Sequence, residues 1–70
     1  MSYKVGDTVQ WNWGKGIAEG VIQKKYHQRI TIKIKGNEVT RDADEDNPAY
    51  RIEQCGGNEV LKSESELEKA

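Results

Sequence analysis

Trp11, Trp13, Tyr26 and Tyr50, with the acids between Asp42 and Asp46, are the residue types in this chain from which a cation-binding cage could be built. The face of an aromatic ring attracts a cation through its quadrupole. Asp44 or Asp46 would add the carboxylate that suits a methylated lysine or arginine. The competing role for these rings is structural. The chain has no Phe, so its two Trp and three Tyr must supply most of the large apolar volume of any core. Trp11 and Tyr50 fit the core role, and Trp13 and Tyr26 are open to either. The ligand-binding candidates are Trp13, Tyr26, Tyr50 and Asp44, for a protein or peptide partner.

A second set of candidates is cationic. Lys15, Lys24, Lys25, Arg29, Lys33 and Lys35 could collect on the outward face of a second and a third strand, with Tyr26 and His27 available to stack on bases. The nucleic-acid alternative therefore rests on Lys24, Lys25, Arg29, Lys33 and Lys35. Lysines alternating along a strand also keep a solvated sheet face soluble and its edges unpaired, with no ligand involved. The charge balance favours that plainer role. Eleven basic and twelve acidic residues leave a formal charge of −1, without the basic excess that drives non-specific binding by counterion release.

Catalysis finds little support. His27 is the only histidine and lies beside an expected turn, and Cys55, the only cysteine, precedes two glycines without a nucleophile signature. Asp42, Asp44 and Asp46 have the spacing of alternate oxygen ligands for calcium, but Asn47 stands where such a loop needs glycine. The reading is a non-enzymatic chain with no metal and no cofactor. A single cysteine allows no internal disulfide and suits a reducing compartment. Met1-Ser2-Tyr3-Lys4 has no apolar core of a signal peptide, and no run of about eighteen apolar residues could cross a bilayer. A cytoplasmic location and no membrane partner are the expectations; the oligomeric state is left open.

Seventy residues, 34% hydrophobic and 33% charged, make room for one domain over residues 1–70. The elements that must position the candidates follow from alternation and turn residues. Gly6-Asp7 is a turn, and Val9, Trp11 and Trp13 then share one face of a first strand. Ile17 to Tyr26 is a long second strand with Ala18, Gly20, Ile22 and Tyr26 inward, its small residues allowing a sharp bend beside an indole. Gln28 to Lys35 alternates cleanly, with Ile30, Ile32 and Ile34 on one face and Arg29, Thr31, Lys33 and Lys35 on the other. It closes a central hairpin with the second strand through Tyr26-His27-Gln28. Gly36-Asn37 is a turn, with brief pairing at Val39-Thr40. Asp42 to Pro48 is a surface loop, because its like charges repel and Pro48 has no ladder donor. Ala49 to Gln54, with Tyr50 and Ile52 inward, and Glu59 to Lys62 complete five strands. Ser63-Glu64-Ser65-Glu66 has capping-box spacing, so a short helical turn sets Leu67 on the core.

Tyr3-Lys4-Val5-Gly6-Asp7-Thr8-Val9-Gln10-Trp11, Gly16 to Ile22, Asp46-Asn47-Pro48-Ala49-Tyr50-Arg51-Ile52-Glu53, and Lys62 with Leu67 together resemble the hypervirulence-associated Tudor-like domain family of bacteria and fungi. The resemblance covers nearly the whole chain. It implies an all-β fold, a small five-stranded SH3-like (Tudor-type) barrel with a short C-terminal helical turn. The family has no assigned biochemical function, and likeness of fold does not transfer a ligand. The stretch from Lys24 to Thr40 departs from the family's usual look and lengthens the central hairpin. A turn displaced there by one residue would exchange the faces of its neighbours.

Overall fold

The entry turn follows from Gly6, whose φ of 95° lies where only glycine is unstrained. Across it the Asp7 N–H donates to the Lys4 carbonyl at 3.0 Å, and the Asp7 carboxylate accepts from the Lys4 N–H at 2.9 Å. The computed structural model describes residues 3–54 and 56–70. It is all-β, with seven strands: β1 Thr8–Trp13, β2 Gly16–Tyr26, β3 Ile30–Ile34, β4 Asn37–Arg41, β5 Ala49–Gln54, β6 Glu59–Ser63 and β7 Glu68–Lys69. A 3-10 turn at Glu64–Glu66 separates β6 from β7.

Five strands form one sheet in the order β6-β5-β2-β1-β7, and β3 pairs only with β4. Every pairing is antiparallel. Among the described residues no ladder joins the two sheets, so the expected barrel does not appear as one continuous hydrogen-bonded cylinder. The count of five strands omitted two. Val39-Thr40 belongs to a full strand, β4, and Glu68-Lys69 pairs with Gln10 and Val9 at the edge of the sheet.

The expected hairpin between the second and third strands is not formed. From Gly20 onward β2 pairs with β5 instead, and the β3–β4 hairpin is an excursion between them. The β2–β5 register also slips: Ile22 faces Ile52, but Lys24 faces Arg51, which leaves Gln23 as a bulge residue. Beyond the bulge the phase reverses. Lys25 takes the core side, opposite Tyr50, and Tyr26 moves to the other face, opposite Ala49. Tyr26 therefore does not point inward with Ile22.

The main core is Val9, Trp11, Ile22, Tyr50, Ile52 and Leu67, with Tyr3, Ala18 and Val60 packed against it. Gly20 lets β2 and β5 approach. A Cβ there would stand 2.5 Å from the Glu53 carbonyl oxygen and 2.7 Å from the Ile52 side chain. The 3-10 turn seats Leu67, which is buried, and the Glu66 carboxylate reaches back to the Ser63 N–H at 3.0 Å, as the capping-box spacing predicts.

Ala49 and Leu61 are also buried but lie outside that cluster. By register they share the opposite face of the sheet with Arg51. Ile30, Ile32, Ile34 and Val39, half-buried, make up the apolar face of the β3–β4 hairpin. The hairpin turn is centred on Lys35 and Gly36, with φ of 50° and 83°, the pair of left-handed residues that a type I′ turn requires. Lys35 is thus a turn residue, one position before the expected Gly36-Asn37, and does not continue the outward face of β3.

Candidate binding site

The four cage candidates do not meet. Trp13 lies on the core side of β1 but past the end of the core, opposite Gly16, and is 68% exposed. Tyr26 is at the far end of β2, half-buried beside Arg51 on the other face. Asp44 is in the acidic loop, where its carboxylate accepts from the Asp46 N–H at 2.9 Å and the Asn47 N–H at 2.7 Å. That is an Asx-type turn closed on its own backbone.

Tyr50 is wholly buried. Its hydroxyl donates to Glu64 at 3.0 Å and accepts from the Tyr3 N–H at 3.0 Å, while the Tyr3 ring meets it edge-on at 5.7 Å. The cation over its ring is the protein's own Lys25, at 5.7 Å from the centroid, with the ammonium also donating to the Tyr3 carbonyl. Burial raises the Tyr50 pKa to about 12, the Tyr3 N–H opposing and Glu64 adding to the rise. The ring is a core element with no open face for a ligand.

The cations are dispersed in the same way. Lys24 sits on β2 opposite Arg51 and Lys25 turns to Tyr3 and Tyr50. On the hairpin, Lys33 faces Glu38 across the ladder, and Arg29 lies 3.5 Å from Asp42. The Lys35 ammonium donates to the Asn58 side chain. Because β2 and β3 belong to different sheets, the expected cationic face shared by them is not assembled. His27 lies on the exposed bend after β2, and Cys55 lies outside the described residues.

What the fold does create is a groove between the β3–β4 hairpin and β6. Ile34, Val39, Val60 and Leu61 supply its apolar lining, and Lys35, Arg41, Lys62 and Glu59 stand around a volume of about 290 Å3. The hairpin is held at both ends, by Lys35 on Asn58 at the tip and by Arg41 on Glu66 at 3.1 Å at the base.

Around the groove the acids are already engaged. Arg51 grips Glu59 through two bonds of 2.8 Å, which raises the arginine pKa and holds the Glu59 carboxyl below its ordinary value. Burial alone would raise Glu66. The Ser63 N–H, Arg41 and Lys62 outweigh it and leave the carboxyl lowered. Arg41 and Lys62 therefore share one acid, and the rim keeps an excess of positive charge. Alternation marks Ile30, Ile32 and Ile34 as one apolar face, but nothing local says that β6 stands across from it.

No curated protein and no solved structure matches the chain. Residues 6–67 match the family described as hypervirulence associated proteins TUDOR domain, a span running from the entry glycine to the core residue Leu67. The chain belongs to this Tudor domain family.

Proposed function

We propose that the chain is a non-enzymatic binding module for a protein or peptide, which it receives in the groove between the β3–β4 hairpin and β6. The observation that carries this reading is the pocket of about 290 Å3 bounded by Ile34, Val39 and Leu61, since apolar clefts edged by a few polar groups are where ligands gain affinity. The Arg29–Asp42 ion pair, and Glu38 standing opposite Lys33 in the ladder, support a protein partner over a nucleic acid, because acids beside the cations offset their attraction for phosphate. On this reading β1, β2, β5, β6 and β7 coil into an SH3-like barrel, the hairpin is an insertion between β2 and β5, and residues 1–70 work as one domain in the cytoplasm.

Amide chemical-shift mapping of the 15N-labelled chain tests the reading. Acidic, basic and lysine-methylated peptides are titrated in parallel with single-stranded RNA and DNA. Shifts at Ile34, Val39 and Leu61 with a peptide are expected. Shifts confined to Trp13 with methylated peptides, or a response to oligonucleotides alone, would refute it.

A further inference from the structure

The groove is bounded on one side by the edge of β6, which pairs with no further strand among the described residues. The Glu64 N–H donates to the Pro48 carbonyl at 2.8 Å, and the Gln54 N–H to the Asn58 carbonyl at 2.6 Å. These bonds bracket the β5–β6 ladder. Bonded and non-bonded pairs alternate in an antiparallel ladder, so Tyr50 with Lys62 and Ile52 with Val60 exchange bonds. The main-chain groups of Glu59, Leu61 and Ser63 then point away from β5, toward the hairpin. The Ser63 N–H is taken by Glu66. On that side no ladder takes up the N–H and C=O of Leu61 among the described residues.

β4 runs alongside β6 in the same direction, as the contacts of Lys35 with Asn58 and of Arg41 with Glu66 require. No ladder joins them. Buried or half-buried peptide groups demand partners, and an extended peptide brings them in the spacing that a strand edge presents. An engineered cavity of about 150 Å3 holds benzene, so a volume of about 290 Å3 takes one or two apolar side chains. The uncompensated charge of Lys35 and of the Arg41–Lys62 pair selects acids beside them.

We infer that the groove takes an extended peptide of alternating acidic and apolar residues, which adds as a strand to the edge of β6 at Leu61. This rests on the reading of the groove as a peptide site. The apolar side chains enter the pocket between Leu61, Ile34 and Val39, and the acidic ones meet Lys35, Arg41 and Lys62. Cα atoms of β4 and β6 approach within 8 Å, whereas two ladders need about 9.5 Å. The hairpin therefore swings outward as the strand enters, loosening Lys35 from Asn58 or Arg41 from Glu66.

The test uses three synthetic peptides on the 15N-labelled chain: Glu/Val/Leu alternating, the same with its edge-facing amides N-methylated, and the same with Lys in place of Glu. The first should shift the amides of Glu59, Leu61 and Val39. N-methylation, reversed peptide charge and Lys35→Asn should each weaken it by roughly tenfold or more. Asn tolerates the left-handed turn position, so the last variant keeps the fold. Equal binding of the N-methylated peptide at the groove would overturn strand addition and leave the peptide site standing. Equal binding of the Lys peptide would overturn the acidic partner. Absence of binding by all three, with another peptide shifting the groove, would overturn the inference but not the proposed function. A response to oligonucleotides alone would overturn both.

Discussion

The main core and the hairpin face are built from similar residues and end in different states. Val9, Ile22 and Ile52 are almost completely inaccessible, whereas Ile30, Ile32, Ile34 and Val39 remain half-buried, with Ile34 and Val39 lining the groove. The first set is closed by hydrogen-bonded neighbours and capped by Tyr3, Lys25 and Leu67. The second lies against β6 without a ladder among the described residues, tied by side-chain bonds at its two ends. Apolar content therefore does not decide burial here. Whether a ladder clamps the two faces together does, because packing at native density needs a fixed backbone on both sides.

The largest loss is expected from Trp11→Ala. Removing a buried large aromatic costs about 3–5 kcal/mol, and chemical denaturation should show that loss. An unchanged midpoint would remove Trp11 from the core. Gly20→Ala should follow at about 1–3 kcal/mol, the usual cost of overpacking, since its Cβ would collide with main chain at Glu53. If that variant is neutral, β2 and β5 are not clamped as tightly as the register implies.

Tyr50 gives a test of core closure by pH. Its folded pKa is raised to about 12 from 10.0, so the folded state holds the proton after the unfolded chain has lost it. The stabilisation from this group is complete below pH 10.0 and declines as pH rises toward about 12, by up to roughly 3 kcal/mol at 1.36 kcal/mol per pKa unit. Tyr50→Phe should flatten that part of the curve. An equally steep decline in the variant would assign the alkaline loss to other groups.

Ile32→Ala on the hairpin should cost only about 1 kcal/mol, near the middle of ordinary substitutions. A loss as large as that of Trp11→Ala would show the hairpin face to be full core and end the contrast. The smallest effect is expected in the acidic loop. Asp44→Asn with Glu45→Gln should stay within about 0.5 kcal/mol, because Asn keeps the acceptor that the Asp46 and Asn47 amides use. A larger loss would mean that charge, not the turn, holds the loop.

Much of the fold is legible in the residues. Gly6 dictates a turn by its φ, Val9 and Trp11 alternate into the core, Gly20 is small where backbones meet, and Ser63 to Glu66 carries its cap spacing. The candidate site was less legible. Of the cage candidates, Tyr50 fits the core role by sequence and is buried, but Trp13 and Tyr26, open to either role, prove one exposed and one turned to the other face, and Asp44 bonds its own loop. For Tyr26 the cause is the bulge at Gln23. One extra residue exchanges the faces of everything after it, and no residue type at that position announces it.

The all-β class, the entry turn, the alternation along β1 and β3 and the family are readable from the residues alone, because glycine conformations, side-chain period and capping are local properties of the chain. Only the tertiary structure decided which strands pair. Lys25 rather than Tyr26 faces Tyr50, β5 rather than β3 neighbours β2, and Ile34, Val39 and Leu61 meet across a groove. Pairing is settled by contacts between residues far apart in the chain. Several registers satisfy the same local pattern, and they differ only in how completely the assembled faces are buried.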